Sequence, residues 1–320
     1  MQNRNSENRV SVVIPTFNRL EYLIDALRSV FFQTHPVFEV LIINNGAPEN
    51  AEKAIEVFPE CCSQVKLFSL HENKGPGYAR NLGIDQSQGD WILFLDDDDL
   101  LAPDFIETSL NSFFEQEPVD FILGRALPFE SASPIRVVGI PHGIINLKRF
   151  KKSPLRTFLY NGFATHCCVT RKTAIGKLRF REELWAGEDT LFWYEFLKKK
   201  PRIAVNENGW SAVRIHSGKL SLKQSALEVG EFSSHSIHEI WLEIRKSLSK
   251  EPEWLHFLIR NSIRFMHHRI KEKRTLYSLL APLLEDPGFG ARFYAYRLER
   301  FIWHIGSFAF NLRTKFPGEE

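Results

Sequence analysis

The chain has 320 residues, 43% of them hydrophobic and 25% charged, with a net charge of +2. This is an ordinary globular composition, long enough for one large domain or two smaller ones, and its balanced charge gives no reason to invoke a nucleic-acid partner. Four cysteines stand in two adjacent pairs, Cys61-Cys62 and Cys167-Cys168. They lack the C-x-x-C spacing of zinc or redox sites, so they read as idle thiols in a reducing compartment. The polar first ten residues hold no apolar h-region, and no uncharged apolar stretch reaches ~18 residues. The expectation is a cytoplasmic protein without signal peptide or spanning helix.

Val10 to Ile14 reads as a first strand. Leu20, Leu23, Ile24, Leu27, Val30 and Phe31 then recur at helical spacing. Phe38 to Ile43 is a second strand, ended by Asn44, Asn45 and Gly46. A short helix over Ala51 to Phe58 and a third strand over Val65 to Leu70 follow. Asn73 to Gly77 is a loop, with Pro76 opening a helix to about Gln88. Strand alternating with helix in this way implies a parallel sheet with right-handed crossovers.

The next stretch, Gly89 to Pro103, organises the chain. Trp91 to Leu95 is a short apolar run that reads as a strand buried on both faces. Asp96 to Asp99 follow at once, and a helix begins near Pro103, with Phe105, Ile106, Leu110, Phe113 and Phe114 behind it. Adjacent carboxylates repel. They suit either a hard divalent cation, Mg²⁺ or Mn²⁺, which takes oxygen ligands, or a solvated acidic turn that caps the helix. Beyond it, Val119 to Leu123 is a strand, and prolines at 128, 134, 141 and 154 predict loops and short strands up to Tyr160. Thr165 to Thr170 is a strand, Gly187-Glu188-Asp189 opens a helix, and Ile203 to Val205 and Ser211 to Ile215 are two late strands. After Ser221 the pattern is helical only. The domain boundary falls near residue 225.

Polar groups collect after each strand: Thr16, Asn18 and Arg19, then Asn44 and Asn45, then Lys74, Gly75, Gly77 and Arg80 at a helix start. Each alone is a turn residue or a solvated charge. Together, at the carboxyl ends of strands and beside a carboxylate cluster, they suit a nucleotide with its phosphates.

Six stretches carry a resemblance: VSVVIPTFNR (Val10–Arg19), EVLIINNG (Glu39–Gly46), NKGPGYARNLGI (Asn73–Ile84), GDWILFLDDDDLLAP (Gly89–Pro103), FREELWAGEDTLF (Phe180–Phe192) and VRIHSGKLS (Val213–Ser221). In this order and spacing they resemble the inverting family 2 glycosyltransferases, over roughly residues 9 to 222. The resemblance implies a GT-A fold: a Rossmann-like, mostly parallel sheet flanked by helices, as a catalytic domain over 9–224, with a helical region over 225–320. It implies a nucleotide-diphosphate sugar as donor, contacted by Pro15, Thr16, Asn18, Arg19, Asn44, Lys74, Gly75, Arg80, Asp96 and Asp97. It places Mn²⁺ or Mg²⁺ on Asp98, with His216 at the metal or diphosphate. Asp189 becomes the general base, Glu188 its neighbour in the catalytic pair, and Trp185 a contact for a glycan or lipid-linked acceptor. The family usually has Asp where Asn44 stands. An Asn carbonyl still accepts from a ring N–H and its amide also donates, so the base is open, with uracil first.

The C-terminal segment mixes cations and aromatics, among them Arg292, Arg297, Arg300, Arg313 and Lys315 beside Phe293, Tyr296, Trp303 and Phe310. It reads as a helical cap, an oligomer contact, or helices lying on an anionic membrane from the cytoplasmic side. Two other functions stay open: a nucleotidyltransferase, disfavoured because PTFNR is not a Gly-rich basic loop, and a non-catalytic sugar-nucleotide or glycan-binding module.

Overall fold

A computed structural model describes residues 8–46, 51–112, 118–130, 136–137, 145–185 and 187–215. The chain divides into two compact units, Met1–Phe257 and Leu258–Glu320, and every described residue lies in the first. His216, Phe113, Phe114, the expected boundary near 225 and the C-terminal helical region lie outside the described residues.

The first half follows the expected alternation: β1 (Val10–Thr16), α1 (Leu20–Phe31), β2 (Glu39–Asn44), α2 (Ala51–Glu56), β3 (Val65–Ser69), α3 (Gly75–Gln86) and β4 (Trp91–Phe94). The four strands are parallel in the order β3-β2-β1-β4, with Thr16 opposite Asn44 and Asn44 opposite Ser69. The apolar runs of β1, β2 and β4 are buried on both faces, as strands covered by crossover helices must be, and β3 at the sheet edge is half-buried. Leu23, Ala26, Leu27 and Val30 form the inward stripe of α1. α3 lies close against β1 because residue 83 is glycine: a Cβ there would stand 2.2 Å from Val13 Cγ1. That approach sets Arg80, one turn earlier, beside the end of the central strand.

The second half is less regular: β5 (Leu100–Leu101), α4 (Phe105–Asn111), β6 (Phe121–Glu130), β7 (Arg136–Val137), α5 (Leu147–Lys152), α6 (Pro154–Asn161), β8 (Cys168–Arg171), α7 (Lys172–Ile175), α8 (Glu188–Lys198) and β9 (Ile203–Ile215). The sheet continues β4-β8-β6-β9-β5, with β7 beside β6. β8 runs antiparallel to both β4 and β6, and β5 antiparallel to β9, so the parallel half passes into a mixed one.

Three expectations change here. The two late strands are one strand, β9, whose register with β6 shifts between Leu123 and Arg125. Asn206 holds the irregularity: its Oδ1 accepts from the N–H groups of Asn208 and Gly209, and its Nδ2 donates to Thr108 and Ser109. A side chain that satisfies the backbone locally replaces the ladder bonds. The stretch expected as loops and short strands holds two helices, α5 and α6, anchored by aromatic burial. Phe150 packs on Phe121 at 6.1 Å between ring centroids, and Phe158 on Phe163 at 4.9 Å. Finally, Thr165–Cys167 is a 3₁₀ turn, and only from Cys168 is the chain a strand. Among the described residues, no helix is long and apolar enough to cross a membrane.

Candidate active site

Asp96 to Asp99 leave the carboxyl end of β4, and three of the four are buried: Asp97, Asp98 and Asp99 are at most 4% exposed. Burying a charge is costly unless it is paired, and these are paired from four directions. Arg19, at the start of α1, donates through Nη1 to Asp97 Oδ1 at 3.0 Å and Asp98 Oδ2 at 2.9 Å. Thr16 Oγ1 donates to Asp97 Oδ2 at 2.8 Å. His166 Nδ1 lies 2.9 Å from Asp99 Oδ2. Arg214, on β9, donates its backbone N–H to Asp99 Oδ1 and its Nε to the Asp98 carbonyl. Its Nη2 reaches Asp25 on α1 at 3.0 Å, so one side chain ties the turn to the helix packed beside it. The turn is a cross-linked structure, and the sequence disclosed neither His166 nor Arg214 as its partners.

The residual strain is electrostatic. Burial pushes the Asp97 carboxyl up to about 7, with the Asp98 charge adding to it and Arg19 opposing it. Burial works against the charge of His166, and Asp99 more than reverses this, so the imidazole is held above its usual value. Asp96 is the accessible member of the four, its side chain 37% exposed. Burial would raise it, but Arg80 outweighs that and holds it below the ordinary carboxylate range.

Arg80 joins this turn to the second acidic group. It is 6% exposed, and its Nη2 donates to Asp96 Oδ1 while Nη1 donates to Glu188 Oε1, both at 2.7 Å. Both terminal nitrogens, expected from the sequence to serve a donor phosphate, are thus committed to carboxylates. Glu188 and Asp189 open α8, where the helix dipole favours negative charge. Glu188 is buried, and burial together with the neighbouring Asp189 charge pushes it up to about 7 against the pull of Arg80. Asp189 is half-buried, and its Oδ1 accepts from the Thr190 backbone at 2.6 Å. Among the described residues no hydrogen bond reaches its other oxygen, so this carboxylate can take a proton from a reactant.

The remaining expected residues lie at the neighbouring strand ends. Pro15 and Thr16 end β1, and Asn18 takes a left-handed φ of 55° in the turn before α1. Asn44 is buried at the end of β2. Asn45 builds the next loop, its Oδ1 accepting from the Lys74 N–H at 2.9 Å and its Nδ2 donating to the Gly75 carbonyl at 3.0 Å. Gly75 has φ +83°, which an L side chain rarely adopts, and it begins α3. Trp185, 45% exposed, covers it: a Cβ on Gly75 would lie 3.7 Å from the indole. An aromatic face from the loop before α8 therefore borders the N-terminus of α3.

The acidic turn fits a divalent cation. One ligand atom each from Asp96, Asp99 and His166 lies within 4.8 Å of the others, a carboxylate-rich set with one imidazole that could hold a divalent cation. This grouping differs from the expected one: Asp98 is engaged by Arg19, and His216 lies outside the described residues.

The family model for glycosyl transferase family 2 matches residues 11–179. Relatives include an uncharacterized glycosyltransferase of Rickettsia conorii, 29% identical over 67% of this chain and 34% of its own length. The minor teichoic acid biosynthesis protein GgaB of Bacillus subtilis is 24% identical over 80% of this chain and 29% of its own. The chain spans about a third of the length of the first of these relatives. Among solved structures, S. aureus TarS 1-349 in complex with UDP has TM-score 0.61 and 20% identity, covering 86% of this chain and 78% of that one. The mannosyltransferase PcManGT of Pyrobaculum calidifontis, with GDP-Man and Mn²⁺, has TM-score 0.58 and 13% identity, covering 92% and 82%. These structures share the α/β architecture, a mixed sheet flanked by helices, and with a family match over more than half its length the chain belongs to glycosyl transferase family 2.

Proposed function

We propose that the protein is an inverting glycosyltransferase that moves a sugar from a nucleotide-diphosphate donor, UDP-linked in the first instance, to a hydroxyl of a glycan or lipid-linked acceptor. The observation that carries this reading is Arg80. One buried guanidinium spans Asp96 and Glu188, so the turn that would face the donor and the pair that would face the acceptor share one site. The UDP in the TarS structure supports a uracil nucleotide, and the GDP-Man of the mannosyltransferase makes guanine the alternative. The likeness to a teichoic acid biosynthesis protein supports a cell-surface polysaccharide as product.

In this reading Asn44 meets the nucleotide base, and Pro15, Thr16, Asn18, Arg19, Asp96 and Asp97 border the ribose and diphosphate. Lys74 and Gly75 add cationic charge and helix N–H groups on the phosphate side. Mn²⁺ or Mg²⁺ would be held by Asp96, Asp99 and His166, whose ligand atoms lie within reach of one ion, with Asp98 the member that the resemblance assigns. When bound, it supplies neutralisation of the charge that develops on the departing diphosphate. Asp189 takes the proton of the acceptor hydroxyl while that oxygen bonds to the anomeric carbon from the face opposite the diphosphate, whose bond to that carbon breaks. Glu188, fixed by Arg80, sets the first turn of α8 and so the position of Asp189. Trp185 offers the acceptor an aromatic face.

The test is thermal shift against UDP, TDP and GDP, with Mn²⁺ and with EDTA, followed by turnover of labelled nucleotide sugars. A bound ligand stabilises by mass action, so a cation-dependent rise in Tm with one diphosphate is expected. A panel in which no nucleoside diphosphate shifts the melt in Mn²⁺ overturns the reading.

A further inference from the structure

From residue 131 to residue 181 the chain has eleven lysines and arginines and not one aspartate or glutamate, although the whole chain carries only +2. The described part of this segment sorts its cations in two ways. Those near the sheet are engaged. Arg171 donates to the Val119 carbonyl and lies over the Trp91 ring, Lys172 donates to the Ser87 carbonyl, and Arg179 pairs with Asp85. Those on α5 and at the start of α6 are different. Lys148, Lys151, Lys152 and Arg156 are all exposed, and none meets a carboxylate among the described residues.

The two helices hold these charges on a rigid support. Leu147 and Phe150 point inward from α5 and are buried, and Thr157 and Phe158 do the same on α6. Thr157 Oγ1 donates to the Arg149 carbonyl at 3.2 Å, which ties the pair together. α5 packs on β9 and α6 on α8. The apolar residues of α5 are spent on the core, so the outward face is cationic without exposed aromatics. Such a face attracts a dense array of phosphates by charge alone. With the apolar side chains of α5 turned inward, it fits a surface that is met face-on, and compact lysine ammonium groups act there as point charges.

We propose that the α5–α6 face, centred on Lys148, Lys151, Lys152 and Arg156, is an electrostatic contact with an anionic lipid bilayer. It uses none of the residues assigned to the donor or acceptor sites. The contact does not depend on the donor, sugar or acceptor, so its failure and the failure of the glycosyl-transfer reading are read in different assays.

The experiment is co-sedimentation of the full chain with vesicles of phosphatidylglycerol and phosphatidylcholine mixed, and of phosphatidylcholine alone, at low and high salt. Two charge-matched variants are compared: K148Q/K151Q/K152Q on the face, and K53Q/K198Q/K200Q at exposed lysines elsewhere. Each cation near an anionic surface contributes about fivefold in binding, so the first variant is expected to weaken ~100-fold. The second should bind within a fewfold of the natural chain. Both should melt at its temperature, because all six lysines are exposed. Binding should vanish on neutral vesicles and fade at high salt. Equal loss in both variants, no loss in the first, or no pelleting of the natural chain at low salt each overturns the proposal. So does capture by soluble polyphosphate with none by vesicles, which would make a polymer the partner.

Discussion

The two acidic groups of the site are built in opposite ways. The aspartate turn is cross-linked: Arg19, Thr16, His166, Arg214 and Arg80 reach it from five separate points in the chain. Among the described residues the Glu188-Asp189 pair has one partner from elsewhere in the chain, Arg80, and that serves Glu188 alone, while Asp189 meets only its neighbour Thr190. Asp189 is left half-exposed at a helix start, held mainly through the backbone. The contrast separates holding from reacting. A group that binds charge gains from rigid, satisfied neighbours, whereas a base needs an oxygen that nothing else has taken.

The sharpest way to break this contrast is Asp189→Asn. It keeps the shape and removes the basic oxygen, so kcat should fall by at least ~10²-fold while nucleoside diphosphate binding persists. Near-normal turnover would move the base to Glu188. Next comes Arg80→Met, which removes the guanidinium link between the groups and strands buried Glu188. Breaking a buried pair by removing one partner costs about 3–5 kcal/mol, so a large drop in Tm is expected, partly restored by adding Glu188→Leu. If the double variant is no more stable than Arg80→Met, the pair does not stabilise the site.

Chelation should weaken nucleoside diphosphate binding by roughly tenfold or more, since the diphosphate would meet the carboxylates without a cation between them. Equal affinity by calorimetry in EDTA and in Mn²⁺ would leave the turn a structural one. A smaller effect concerns pH. Asp97 and Glu188 both have folded-state values raised to about 7. The folded chain then binds more protons than the unfolded chain between the ordinary carboxylate range and about 7. Their stability contribution is full below that window and is lost as pH rises through it. Glu188→Gln should flatten part of this slope in urea unfolding between pH 4.5 and 8, and an unchanged slope would contradict the burial of that charge. The smallest change is expected from Asn44→Asp, which should reorder the ranking of UDP, TDP and GDP in thermal shift. An unchanged ranking means that residue 44 does not face the base.

Local residue pattern was enough to specify the parallel half of the sheet. VSVVI, EVLII and WILFL are too short and too apolar for anything but buried strands, and the polar residues that follow them had to gather at their carboxyl ends. The Asp96–Asp99 and Glu188-Asp189 groups were legible for the same reason, because charge at the edge of an apolar run stands out locally. The partners were not. Arg80 and Glu188 are 108 residues apart, His166 and Asp99 are 67 apart, and Arg214 and Asp25 are 189 apart. Nothing in the composition around any of them announces the other. Long-range packing made α5 and α6 helices, because the prolines there argued for loops while Phe150 and Phe158 had an aromatic core to enter. It also fused two strands into β9, since Asn206 supplied from its side chain the hydrogen bonds that the interrupted ladder lost. Periodicity is local and survives in the sequence, whereas the pairing of buried charges and rings depends on which surfaces meet once the chain has folded.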